Sequence, residues 1–510
     1  LTSSISKLIS SLGYKVLPIK FDGYLNVDCG TMNPFRHGEV FVLEDGTECD
    51  MDFCTYERFL NLSLKGDSSI TGGKIFQRVI TKERKGEYLG NDVQFVPHVT
   101  REIQEWIKNF AESEKADVVI IEVGGTVGDI ENGYFLEAMR QMSLKEKMIF
   151  VQLTYIPEIN GEQKTKPTQH ANRLIASLGI NPSIILCRTS KPLEKEARQK
   201  ISLFCNVEDE DIFDDCDLQT IYELPLLLKK QNFVDRIAQK LDLRKTEPDL
   251  ENWKKLVERI KNPQKIINVA MVGKYTRIKD AYVSIFEAFN HVLANTAIKT
   301  NVTMIESTEI EDNKYDINNL KNFDGILVPG GFGKRGIEGK IKAVQFAREN
   351  KIPYLGLCLG LQLMVIEYAR NVCKLENANS TEFDKDTKYP VICLLPEQRD
   401  IIYKGGTMRL GNYECVIRRN SIAYFAYQSE RVVERHRHRY EVNPEYVEIL
   451  QKNGLVVSGT SFNGKIVEIV EWPNQFGIAT QAHPELSSRL EKPNPLFMAF
   501  VKACSEKTKV

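Results

Sequence analysis

Three short stretches carry residues suited to nucleophilic acyl chemistry. Pro353-Tyr354-Leu355-Gly356-Leu357-Cys358-Leu359-Gly360-Leu361-Gln362 sets one cysteine between an apolar run and a helical pattern continued by Val365 and Ile366. The spacing predicts strand, sharp turn and helix. Glycines at 356 and 360 let the turn form without Cβ clashes, and the sulfur then meets a helix N-terminus, whose dipole favours thiolate. A lone cysteine is ordinarily a buried structural thiol, so its partners decide. Gln481-Ala482-His483-Pro484-Glu485 supplies an imidazole and a carboxylate two residues apart. On an extended segment both project to one side, the carboxylate orienting the base. Leu327-Val328-Pro329-Gly330-Gly331-Phe332-Gly333 reads as a strand entering a glycine loop whose N–H groups could hold an oxyanion.

Such a constellation needs sheets to carry it, and the chain is long enough for them. Its 510 residues allow two large domains. Lys+Arg 68 against Asp+Glu 69 gives a net charge of −1, which removes any global electrostatic case for nucleic acid or an anionic membrane. The 11 cysteines are scattered and odd in number, pointing to a reducing, cytosolic setting rather than a disulfide framework. No apolar run is long enough to span a bilayer.

Continuous apolar runs at 117–123, 147–153 and 183–187 each follow a helix-like segment, as parallel strands covered on both faces do. A second set begins at 266–272 and continues near Val302 and at 325–328. Between the sets, residues 244–264 read as a linker: a polar stretch, then a charged helix through Trp253, Leu256 and Ile260. The expectation is α/β throughout, with two doubly wound parallel-sheet domains at 1–243 and 265–510.

The first domain carries oxygen-rich motifs at apparent strand ends. Asp50-Met51-Asp52 and Glu122-Val123-Gly124-Gly125-Thr126 offer hard ligands suited to Mg²⁺ and hence to nucleotide phosphates, although a lone Asp-x-Asp is more often a solvated turn. Gly161-Glu162-Gln163-Lys164-Thr165-Lys166-Pro167-Thr168-Gln169 reads as a polar loop able to contact phosphate oxygens.

The cysteine, glycine-loop and H-P-E motifs, in that order, resemble the class I glutamine amidotransferases. The resemblance implies a Cys358, His483 and Glu485 triad attacking the glutamine amide. It also implies Gly331 and Leu359 as oxyanion donors and a glutamine pocket of Gly330, Gly331, Leu359, Gly360, Leu361, Gln362, Glu382 and Arg439. Tyr24–Asp28, His37–Val42, Tyr56–Phe59, Glu122–Glu131 and Lys164–Gln169, with Asn377–Phe383, Gly406–Gly411 and Glu434–Val442, resemble the CTP synthase family over essentially the whole chain.

That resemblance implies ATP-dependent phosphorylation of the UTP uracil O4 and displacement of the phosphate by ammonia from glutamine. Asp52 and Glu122 fall at the Mg²⁺ ligands, and Lys20, Asp52, Cys216, Asp217 and Leu218 at the ATP site. Asp129, Ile130, Glu131, Lys164, Thr165, Lys166, Pro167, Thr168, Gln169 and Lys200 fall at the site for UTP, or for CTP as feedback inhibitor. Pro34, His37 and Val40 fall along the ammonia passage. GTP as allosteric activator, a homotetramer and filaments are implied too, with neither nucleic acid nor membrane as partner. The sequence departs from the family's pattern at Asn132-Gly133-Tyr134 and at Leu486.

Leu1, Ile5, Leu8 and Leu12 recur at helical spacing with no strand or methionine before them. The expectation is a fragment lacking a first strand and its phosphate loop, binding ATP poorly. Two other readings compete: a related amidoligase acting on a carboxylate, which the Lys164–Gln169 segment and Lys200 oppose, and, because the phosphate loop is absent, a catalytically silent, assembling copy, which the intact triad opposes in the glutaminase half and nothing opposes in the phosphorylating half.

Overall fold

The computed structural model describes residues 1–32, 37–244, 246–274, 279–394 and 409–507. The chain forms two compact units, one of residues 1–29 with 55–261, the other of residues 30–54 with 262–510.

In the first unit, strand Val16–Asp22 is buried at every position and lies between Ser69–Thr71 and Val118–Val123, all parallel. The register sets Lys20 opposite Glu122. Helix Thr2–Ser10 buries Ile5, Leu8 and Ile9, as its periodicity predicts. A second parallel sheet has Ile184–Thr189 between Ile212–Cys216 and Val151–Tyr155. The strand expected at 147–153 therefore starts later, at Val151. Its alternating pattern, with Gln152 and Thr154 buried and Leu153 and Tyr155 exposed, is that of a strand covered on one face.

The charged helix assigned to the linker, Glu251–Lys261, belongs to this first unit. Trp253 pins it: the indole N–H donates to the Tyr222 carbonyl at 2.7 Å, and its ring lies 5.2 Å from Phe59 with Lys7 Nζ over it. The apolar stripe read as Trp253, Leu256 and Ile260 is buried at Trp253, Leu256 and Val257, which packs the helix into the unit.

The second unit is built on a nine-stranded sheet in the order 298–306, 265–273, 325–328, 354–357, 477–480, 467–471, 456–461, 409–417, 431–438. The first five strands are parallel, as expected; the last four extend the sheet antiparallel, which the doubly wound expectation omitted. Along strand Gly325–Val328, Ile326 and Val328 join one core cluster while Leu327 joins the other. Both faces are thus covered, which is why the run is continuously apolar.

Residues 30–54, expected in the first domain, count with this second unit. Arg437 Nε donates to Glu48 Oε1 at 2.7 Å, Ser284 N donates to Glu39 Oε2 at 2.9 Å, and Asn412 N donates to the Glu44 carbonyl at 2.9 Å. A Cβ on Gly411 would stand 2.5 Å from Gly46 N, so the backbones touch there only because both residues are glycine.

Candidate active site

The turn after strand Tyr354–Leu357 puts Cys358 at the N-terminus of helix Leu359–Asn371, with φ +50° and ψ −97°. A β-carbon at positive φ is strained, and the residue bearing the strain is the cysteine itself. Gly356 and Gly360 serve differently from the sequence expectation. Neither has positive φ; a Cβ on Gly360 would stand 2.4 Å from the Val328 carbonyl oxygen, and one on Gly356 2.8 Å from Gly360. They let helix and strand approach closely enough to hold the turn.

Cys358 is 3 % exposed. Its N–H donates to the Thr480 carbonyl at 2.8 Å, and the Gln481 side-chain amide donates to its sulfur at 3.6 Å. His483 Nδ1 lies 2.7 Å from Glu485 Oε1. Glu485 stands in the short helix Pro484–Ser487 with His483 as its cap, so a helical turn, not the expected extended segment, brings the pair together. Burial alone would lower the His483 pKa, but the charges of Glu485 and Cys358 and its hydrogen bond to Glu485 raise it well above the usual imidazole range. A Cβ on Gly330 would stand 2.8 Å from the imidazole Cε1, so only a bare loop fits beside the base.

Gly331 N–H and Leu359 N–H donate to no acceptor among the described residues, the latter because a helix's first amide has no partner within its own helix. Gln362 is buried, its amide donating to the Tyr440 carbonyl at 3.0 Å and facing Gln481 Oε1 at 3.4 Å. Leu361 and Gly360 are buried with it. Glu382 accepts from Gly333 N at 2.8 Å; burial raises its pKa, with Gly333, Lys274 and Arg439 opposing. A carboxylate and a guanidinium thus share the side of the site where an amino acid's charged ends would bind.

The strand Arg431–His438 backs the site. Its Arg437 carbonyl lies 3.9 Å from the Cys358 sulfur, and its Arg435 carbonyl accepts from His483 N at 2.7 Å. His436 and His438 turn to the other face, 2.9 Å apart, into a buried group where Arg409 bridges Glu441 at 3.2 Å and Glu468 at 2.8 Å. Burial lowers both imidazoles and raises Glu441 to about 8. Gln481, Lys274 and the two strand carbonyls escaped the sequence reading. Gln481 was signalled only by its place beside H-P-E, and Lys274 by a charge closing a buried strand; carbonyls leave no trace in side-chain chemistry.

In the first unit, Tyr56 donates to Glu122 Oε2 at 2.7 Å, and buried Lys20 Nζ lies 3.4 Å from Asp22 Oδ1. Asp52 opens helix Asp52–Leu60. Among the described residues no group of three or more His, Cys, Asp or Glu is placed to hold a metal. Oxygen ligands suit Mg²⁺, which binds through one or two carboxylates completed by water and phosphate, so Glu122 and Asp52 fit it by chemistry.

Lys164 pairs with Glu162 at 2.5 Å and Lys200 with Glu196 at 2.7 Å, and the charge of Lys200 also reaches Glu162. Lys166 Nζ donates to Gln169 Oε1 at 3.2 Å, Gln169 to Thr165 Oγ1 at 3.0 Å, and Thr168 faces Thr154 at 2.9 Å. Half of the expected loop is helix: Lys166–Ser177 begins there with Pro167 in its first turn. A helix N-terminus flanked by lysines suits an anion better than a loose loop does. Thr126 N donates to Asp129 Oδ2 at 3.0 Å, Glu131 is exposed, and Ile130 is 91 % exposed. Arg188 donates to Asp217 at 2.6 Å; Cys216 ends its strand and Leu218 follows half-buried. His37 is exposed and Val40 half-buried; Pro34, Lys245 and residues 406–408 lie outside the described residues.

A strained cysteine at a helix N-terminus, an imidazole bonded to a carboxylate and a bare glycine loop suit cysteine-dependent nucleophilic chemistry. Residues 277–503 match the class-I glutamine amidotransferase family and residues 1–243 the CTP synthase N-terminus. The chain is 50% identical over 512 residues to the CTP synthase of Methanocaldococcus jannaschii, covering 98% of this chain and 94% of that one. It is 48% identical over 510 residues to that of Sulfolobus acidocaldarius, covering 99% and 96%. A solved structure of the Trypanosoma brucei CTPS glutaminase domain with bound acivicin aligns at 39% identity and a TM-score of 0.45, over 48% of this chain and 96% of that one. The chain belongs to the CTP synthase family.

Proposed function

We propose a division of labour for the reaction that family membership establishes, the ATP-dependent conversion of UTP to CTP with glutamine as nitrogen donor. In the second unit the Cys358 thiolate attacks the glutamine side-chain carbonyl. The S–C bond forms, the carbonyl π pair moves to oxygen, and the Gly331 and Leu359 N–H groups meet that charge. Collapse breaks the C–N bond while His483 passes its proton to the leaving nitrogen; water then hydrolyses the thioester with His483 as base. The 2.7 Å His483–Glu485 bond carries this reading, because it fixes the tautomer and favours the imidazolium beside the thiolate. Gly330, Gly331, Leu359, Gly360, Leu361 and Gln362 shape the glutamine pocket, with Glu382 and Arg439 for the amino acid's charged ends.

For the phosphoryl-transfer half, Lys20, Asp52, Cys216, Asp217 and Leu218 hold ATP. Asp129–Glu131, Lys164–Gln169 and Lys200 hold UTP, or CTP as inhibitor. Asp52 and Glu122 hold Mg²⁺, which when bound neutralises charge on the transferred phosphoryl group. ATP phosphorylates the uracil O4, and ammonia, leaving past Pro34, His37 and Val40, displaces phosphate. Activation by GTP, assembly as a homotetramer and filaments, and a cytosolic setting, which the chain's eleven free cysteines suit, complete the proposal. Among the described residues no helix is long and apolar enough to cross a membrane. A silent copy finds no support, given both family matches and the assembled triad.

The test is CTP formation from UTP, ATP and Mg²⁺ with either glutamine or ammonia. Synthesis from both, with only the glutamine route lost in Cys358→Ala, supports the division; loss of both routes in a folded variant overturns it.

A further inference from the structure

Behind the glycine loop lies a charge that the mechanism above does not use. Lys340, on helix Ile337–Glu349, is 0 % exposed, and its Nζ has no hydrogen-bond partner among the described residues. The position is inside the helix's buried face, with Ile337, Ile341 and Val344 around it in sequence, where an apolar residue would be ordinary. An ammonium there has given up its water for nothing in return. Burial, then Lys274, lowers its pKa to about 7, with Arg335 acting the same way and Glu306 against. No carboxylate among the described residues forms an ion pair with it.

Its position gives that cost a use. A Cβ built on Gly331 would stand 3.8 Å from Lys340 Nζ and 3.6 Å from Leu359 Cδ2, so the ammonium sits against one proposed oxyanion donor and beside the residue supplying the other. The helix is pressed in tightly: a Cβ on Gly339 would meet the Ser307 carbonyl oxygen at 1.9 Å. Lys274 anchors the next part of the loop, donating to the Phe332 and Gly333 carbonyls at 3.0 and 2.8 Å. One lysine therefore has its acceptors, while the other faces the loop with none.

We propose that Lys340 is a positioning residue for thioester formation, its buried ammonium setting a positive potential behind the Gly331 peptide that is answered only when the glutamine carbonyl oxygen takes its negative charge. The inference rests on the reading of Cys358 as nucleophile. A cation unsatisfied in the ground state and satisfied in the transition state acts on kcat and little on KM.

The experiment, run at about pH 6 so that an amine of pKa about 7 carries its charge, compares the full chain with Lys340→Met, which keeps length and removes charge, and with Lys340→Gln as a second variant. Three quantities are read: glutamine hydrolysis, alkylation of Cys358 by iodoacetamide followed by the mass of the labelled peptide, and Tm. Alkylation needs the thiolate but forms no oxyanion. For Lys340→Met the expectation is a kcat lower by about tenfold with KM within about twofold, as for loss of part of an oxyanion environment. Alkylation stays at the wild-type rate, and Tm is unchanged or higher, because an unpaired buried charge has gone. Unchanged kcat in both variants overturns the proposal. A fall in hydrolysis, alkylation and Tm together also overturns it, since that is the signature of a merely structural lysine. A wild-type chain whose glutamine hydrolysis survives Cys358→Ala would instead strike the nucleophile assignment beneath it.

Discussion

The residues proposed for glutamine in the second unit and those proposed for the uracil nucleotide in the first differ in how far their geometry is committed before any substrate arrives. Around Cys358 the groups are buried and bound to one another: a strained φ of +50°, a 2.7 Å His483–Glu485 bond, an amide on the sulfur. Around Lys164 and Lys200 the charges are paired with exposed neighbours, Glu162 and Glu196, while Lys166 donates to the buried Gln169 amide. Covalent chemistry needs atoms placed beforehand, so its site is built into the core and its strain is held by packing. Phosphate recognition needs charges that can change partner, and surface ion pairs are weak enough to be exchanged at little cost.

The largest expected break in this comparison is Cys358→Ala. CTP formation from glutamine should drop at least about a thousandfold, the scale of losing a nucleophile, while formation from ammonia continues; parallel CTP assays with the two nitrogen donors decide it. Next is Glu122→Gln, which should cut CTP formation from either donor on the order of a hundredfold by weakening charge neutralisation at the phosphoryl group. Basal glutamine hydrolysis should persist, and near-normal synthesis from ammonia would remove Glu122 from the metal site.

A smaller effect sharpens the electrostatic half of the comparison. Glu485→Gln removes the leading charge that raises the His483 pKa against burial. Iodoacetamide labelling of Cys358 at about pH 6.5, near the free imidazole value, should slow about tenfold for each unit lost and recover at higher pH. The sign for stability follows. A raised folded pKa gives stability that is complete below the unfolded value and fades as pH rises through the folded one, so the variant should lose that slope in pH-dependent melting. Smallest of all is Glu162→Gln. Freeing Lys164 from its surface partner, while Lys200 keeps Glu196, should lower KM for UTP by no more than about threefold, the scale of exposed pairs, and leave glutamine hydrolysis alone.

The sequence pointed to Cys358, His483 and Glu485 because cysteine and histidine are scarce in this chain, 11 and 7, and here stand in short motifs. What it obscured was why the motifs work. Gly356 and Gly360 looked like relief for a tight turn, yet they make room for backbone contact across the sheet, a distance no single strand reveals. Glu251–Lys261 looked like linker because its charges outnumber the apolar residues, although one indole is enough to pin it. Residues 30–54 were placed by chain order, whereas Glu39, Glu44 and Glu48 bond to residues more than two hundred positions later. The antiparallel strands were missed because polar residues inside them, such as Glu468 and Glu471 in a strand buried at every position, break up the apolar run. Lys340 was invisible for a related reason, since a lysine in a helix is read as facing water.

Strand Arg431–His438 carries one further consequence. Its arginines and histidines alternate, 435 and 437 toward Phe41 and Glu48, 436 and 438 toward Arg409 and the two glutamates. The pleat has a period of two, so loss of a single residue upstream in this strand would turn every guanidinium into the imidazole cluster and every imidazole out of it. Two arginines would then meet Arg409 in a space without water. Losing two residues would restore the facing. Evolution can therefore trim this strand only in even steps, and the parity that protects the buried cluster also keeps the Arg437 carbonyl beside the sulfur.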